Sequence, residues 1–138
     1  MIQLPTEPKV VSRENNRAVF EISPLYPGYG MTVGNTLRRV LLSSLEGASI
    51  TSVKIKGVDH EFSTIPGVLE DVVDIILNLK NVRFKLFKEE PVTLDLIAKG
   101  IGDITSGNIK ATADVEVVNP NQHIATITDK KTEFEAEI

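Results

Sequence analysis

The chain has 138 residues, of which 41% are apolar and 25% charged, with a net charge of −4 and no cysteine. That length is one ordinary domain, able to bury roughly two thirds of its unfolded surface. The balance excludes disordered, collagen-like and low-complexity chains, and the lack of cysteine removes disulfides, zinc fingers and thiol nucleophiles together. No apolar run reaches the ~20 residues of a membrane helix. The opening MIQLPTEPKV has no charged start followed by an apolar core, so no signal peptide is expected and a cytoplasmic location fits. Bulk acidity repels nucleic acid.

Val10 to Ser23 reads as two short strands around the turn signal Glu14-Asn15-Asn16. PLYPGYG (Pro24 to Gly30) is loop, because its prolines and glycines break any regular element. The spacing predicts a helix over Thr32 to Leu45. Val33, Leu37, Val40, Leu41, Ser44 and Leu45 share one arc with Gly34, and Asn35, Thr36, Arg39 and Ser43 lie opposite. Leu42 projects into the polar face, and Gly47 is expected to end the helix. Ala48 to Lys56 reads as a strand and Val58 to Phe62 as a short return strand. Ser63-Thr64-Ile65-Pro66 reads as a helix start, with a hydroxyl cap and a first-turn proline. The helix predicted over Gly67 to Asn81 carries a wide apolar arc, so it is expected to be buried between layers, with Glu70, Asp71, Asp74 and Asn78 facing water.

After Asn81 the pattern is strand. Val82 to Leu86, Val92 to Ala98, Val115 to Val117 and His123 to Thr128 are strands, and Gly100 to Gly107 is a loop. The closing TEFEAEI alternates Phe134, Ala136 and Ile138 with three glutamates. It reads as a strand at which the sequence stops inside an element, as a piece of a longer protein would. Two helices beside antiparallel strands predict an α+β fold.

Few residues suggest chemistry. Gly28, Gly30 and Gly34 could cradle phosphate at a helix start, as in a phosphate-binding enzyme. They lack the dinucleotide fingerprint and the P-loop lysine, and a turn plus a close backbone approach is the better explanation. The Gly100-x-Gly102 stretch is explained by a hairpin connection. Asp59-His60-Glu61 cannot converge on one atom from a strand, and His123 stands alone, so no metal site, cofactor site or catalytic residue is assigned. The predicted first helix is different. Leu42 together with Arg38 and Arg39 has the composition of an interface core, or is a solvated arginine pair beside a stray leucine.

Three blocks carry a family resemblance: GYGMTVGNTLRRVLLSS, HEFSTIPGVLEDVVDIILNLK and VVNPNQHIAT. Together they resemble the N-terminal domain of the alpha subunit of bacterial DNA-directed RNA polymerase. The resemblance implies a non-catalytic scaffold in a nucleotidyltransferase complex, whose homodimer binds the β and then the β′ subunit. It implies residues 1–46 as the first portion of a dimerisation subdomain and 47–138 as an inserted β-rich subdomain, incomplete at its C-terminus. By the same resemblance Arg38, Arg39, His60, Glu61, Ser63, Thr64 and Gly67 face β, and Asn78 and Lys80 face β′. Gly34, Asn35, Leu37, Leu41, Leu42 and Leu45 serve dimer or helix packing. The family's DNA-binding domain and the helix that packs on the first helix are not in this sequence. Direct DNA binding is therefore not expected, and the first helix is expected to expose apolar surface. A self-associating β-rich module is the competing reading.

Overall fold

The structure, a computed structural model, describes residues 4–138. Residues 1–3, part of the opening read above for a signal peptide, lie outside the described residues. The backbone divides into two compact units, Met1–Glu46 and Gly47–Ile138.

The first unit holds two strands and a helix. Strands β1 (Lys9–Glu14) and β2 (Arg17–Glu21) pair antiparallel, from Lys9 opposite Glu21 to Glu14 opposite Arg17. Their connection needs a positive backbone angle, and Asn15 supplies it at φ 48°; asparagine tolerates that conformation better than most residues. Helix α1 (Tyr29–Ser44) begins three residues before the expected start. Gly28, at φ 88°, makes the entry. The helix ends because Leu45 turns extended, so Gly47 does not make the stop.

The second unit holds the interior: every buried residue among those described lies in it. Its elements are β3 (Lys54–Ile55), α2 (Val72–Leu79), β4 (Phe84–Leu86), β5 (Asp95–Lys99) and β6 (Gly102–Thr105). A 3₁₀ turn (Ser106–Asn108), β7 (Val115–Val117), β8 (His123–Ile127) and β9 (Glu133–Glu137) follow. The strands form a three-stranded sheet β3-β9-β5 and two ribbons, β4-β7 and β6-β8, all antiparallel. The alternation in TEFEAEI is a strand paired on both edges, with Phe134 and Ala136 buried. Ile75 of α2 packs with Leu96, Ile104, Ile124, Ile127 and Phe134 in one fully buried cluster. Two helices with antiparallel strands make the fold α+β, as expected.

Five expectations are corrected. Ala48 to Lys56 is mostly irregular. Ala48 makes one bridge to Phe84, and only Lys54 and Ile55 join a sheet. Its apolar residues Ile50 and Val53 pack on the core without ladder bonds. Val58 to Phe62 is turn rather than strand. The second helix starts at Val72, because Pro66-Gly67 is a tight turn: Gly67 sits at φ 79° and Val68 N–H donates to Ile65 O at 3.1 Å. Proline followed by a positive-φ glycine is the type II turn pattern. The cap is Asp71, whose Oδ1 accepts Asp74 N–H at 2.8 Å. This shorter helix buries Val72, Ile75 and Leu79 against the core and leaves Leu77 exposed, so it lies at the surface rather than between layers. Finally, Gly100-Ile101 is no hairpin. The strand before it pairs with β9 and the strand after it, within the expected loop, pairs with β8.

Candidate functional site

Helix α1 is the first candidate surface. None of its 16 residues is buried. Leu37, Leu41 and Leu42 are exposed at 43%, 54% and 76%, and Leu45 follows at 73%. Gly34, Asn35, Arg38 and Arg39 are exposed on the same helix. A Cβ on Gly34 would meet nothing within 4 Å. The close approach that a helical glycine permits is therefore unused within this chain. The hydroxyls inside the helix are spent locally, Thr36 Oγ1 on Thr32 O at 2.8 Å and Ser43 Oγ on Arg39 O at 2.7 Å. Gly28 has a backbone role as the entry, while the first turn carries no cationic side chain. A phosphate there would meet amides alone.

The segment from His60 to Glu70 is the second. His60 O accepts both Ser63 N–H at 3.3 Å and Ser63 Oγ at 2.7 Å, a local turn that leaves the His60, Glu61 and Phe62 side chains exposed, Phe62 at 80%. Thr64 is exposed and bridges Asp71. Gly67 is held by the fold: besides its positive φ, a Cβ there would strike Thr132 Oγ1. Leu69 is exposed at 72%.

The expected solvent stripe of α2 is corrected at two positions. Asn78 Nδ2 donates to Ile124 O at 3.0 Å and ties α2 to β8, whereas Lys80 is exposed. Glu70 is turned inward, its side chain only 14% exposed. Its Oε2 accepts Thr126 N–H at 2.6 Å, and its Oε1 accepts the Thr126 hydroxyl at 3.0 Å. His123 Nε2 lies 3.0 Å from the same Oε1, so His123 does not stand alone. Burial pushes the Glu70 pKa up, but the bonds from Thr126, His123 and its own backbone outweigh it and hold the carboxyl below its ordinary value. Sequence reasoning missed this cluster because helical periodicity places Glu70 outside, and no local rule pairs it with a residue 53 positions away.

Among the described residues, no group of three or more His, Asp or Glu is placed to hold a metal ion. An open cleft of about 240 Å³ is lined by Ala48, Ile50, Phe84, Leu86 and Val92, with Glu89 its one ionisable residue. No helix among the described residues is long and apolar enough to cross a membrane.

The RNA polymerase Rpb3/RpoA insert domain matches residues 53–138. The chain belongs to this family. Curated proteins named DNA-directed RNA polymerase subunit alpha are its relatives. That of Symbiobacterium thermophilum is 54% identical over 132 residues, covering 96% of this chain and 42% of its own length. That of Roseiflexus sp. is 54% identical over 119 residues, with 86% and 37% covered. That of Lawsonia intracellularis is 59% identical over 110 residues, with 80% and 32% covered. The chain thus spans between about a third and two fifths of the length of these relatives. The insert-domain match falls within the second unit, and the relatives' similarity extends over the α1-bearing unit as well.

Proposed function

We propose that this chain is the part of an alpha subunit that serves as a non-catalytic assembly platform of bacterial RNA polymerase. One observation carries the reading: a 16-residue helix with Arg38 and Arg39 beside Leu41 and Leu42 and no residue buried. Covering a leucine stabilises by roughly 1.5–3 kcal/mol, so such a face gains most from a partner. In this reading residues 1–46 are the first portion of a dimerisation subdomain and 47–138 the inserted subdomain. Gly34, Asn35, Leu37, Leu41, Leu42 and Leu45 pack on a second alpha copy or a large subunit. Arg38 and Arg39, with His60, Glu61, Ser63 and Thr64, meet β, and Gly67 shapes the loop that presents them. Lys80 meets β′, while Asn78 holds the helix that carries it. The complex works on DNA in the cytoplasm, and this chain contributes assembly rather than chemistry.

The test is co-purification. An intact alpha subunit carrying Arg39→Ala should fold and dimerise but fail to capture β. Undiminished capture would remove Arg39 from the interface. The same uncovered face also supports a plain self-associating module. Sedimentation at several concentrations separates the two, because the platform forms a defined dimer that still takes up β, and the module forms only open-ended oligomers.

A further inference from the structure

The loop leading into α2 is closed on itself and then fastened to β8. Val72 N–H donates to Ser63 O at 3.2 Å, and the Pro66-Gly67 turn folds the strand-like arms together. The outer arm runs antiparallel along β8: Leu69 N–H donates to Thr126 O at 3.0 Å, and Thr128 N–H donates to Gly67 O at 2.8 Å. In a regular antiparallel pair the Thr126 N–H would return a bond to the Leu69 carbonyl. It donates instead to Glu70 Oε2 at 2.6 Å, so a side-chain carboxylate completes the ladder where the backbone turns away into the helix.

Three polar groups converge on this one carboxyl: the Thr126 N–H and the Thr126 hydroxyl donate to it, and His123 Nε2 lies 3.0 Å from its Oε1. An ionised carboxylate, an acceptor at every lone pair, serves all three when Nε2 carries the His123 proton; a glutamine would turn an NH₂ toward a donor. The charged groups around the site are few. His123 faces Glu70 from β8, and Asp103 on β6 reaches Thr126 Oγ1 at 3.4 Å. From α2 comes the neutral Asn78, while Asp71 and Asp74 are exposed.

We infer that Glu70 is the positioning residue of this loop: its carboxylate locks the Gly67-to-Leu69 arm to β8 and so fixes the exposed Phe62, Thr64 and Leu69 side chains that the loop presents. That these side chains are presented to β rests on the assembly reading above. The lock is acid-sensitive in a definite sense. A folded-state pKa held below the ordinary carboxyl value gives stabilisation that is complete above the unfolded value and is lost as pH falls through the folded one.

The experiment is hydrogen exchange on the intact alpha subunit, in wild type, Glu70→Ala and the near-isosteric Glu70→Gln. Protection is followed in peptides covering residues 60–70 and 123–128, with 133–138 as reference, from neutral pH down through the carboxyl range. Glu70→Ala should lower protection of both loop peptides at least about tenfold, the scale of a lost bond to a charged group, and leave the reference unchanged. Wild-type loop protection should fall as the solution is acidified, and the Glu70→Ala loop should show no such dependence. Glu70→Gln, which keeps the shape, should follow the alanine variant rather than wild type. Equal protection in wild type and variants, or the same acid dependence without the carboxylate, overturns the inference. Capture of β is then measured with Arg39→Ala alongside. Loss of capture in both variants supports the presenting role. Loss with Arg39→Ala alone overturns that role for Glu70. If neither loses capture, Arg39 leaves the interface and the presenting role of Glu70 fails with it, and the exchange result alone decides whether Glu70 locks the loop.

Discussion

The two units of this chain spend their apolar residues in opposite ways. The second unit buries fifteen hydrophobic side chains, with Ile75, Leu96, Ile104 and Ile124 wholly out of reach of water. The first unit buries none among its described residues, although α1 alone carries Val33, Leu37, Val40, Leu41 and Leu42. Both units use apolar periodicity, so the contrast is not one of composition. The second unit closes three sheets and a helix around one core, whereas a two-stranded ribbon and one helix have too little surface to cover each other. In the proposed assembly role, the first unit is the one finished by something outside itself, through its exposed helix.

Substitutions sharpen that contrast in order of size. Phe134→Ala removes a wholly buried ring from the central strand and should cost about 3–5 kcal/mol in the second unit, read as a lowered denaturation midpoint. Gly67→Ala forces a side chain into positive φ against Thr132 and should cost about 1–3 kcal/mol by the same measurement. Asp71→Ala removes the cap of α2 and should cost about 1 kcal/mol. In α1 the sign reverses: with open space at Gly34, Gly34→Ala should favour the isolated helix by roughly 0.5–1 kcal/mol. A second copy seated on that face would turn the gain into a loss of dimer, visible by sedimentation. Leu42→Ala should change monomer stability least of all, and a large effect there would mean that the face is already covered.

The legible parts of the fold were those whose neighbours along the chain decide them. The Asn15-Asn16 turn, the α1 periodicity and the alternation of Phe134, Ala136 and Ile138 all appear where expected. Misreadings arose where distant partners decide. Ile50 and Val53 look like strand residues because they are β-branched and lead into Ile55, but most of their segment finds no ladder partner. Ser63 to Pro66 carries a helix-start signal that the positive-φ turn at Gly67 overrides. Strand β6 was hidden in glycine and polar residues, and its pairing to β8 comes from Ile104 seeking the core. At the candidate surface, the exposure of Arg38, Arg39 and Leu42 was readable from α1 alone. The inward turn of Glu70 was not, because its partners Thr126 and His123 reach it only through the fold.

The central claim is that the uncovered face of α1 and the His60-to-Leu69 loop are surfaces for a large polymerase subunit. Its most direct test is hydrogen exchange of the intact alpha subunit with and without the purified β subunit. The expected result is added protection in peptides covering residues 37–45 and 60–69, with the buried face of α2 unchanged. Binding of β that leaves both segments exchanging as in the free subunit would contradict it.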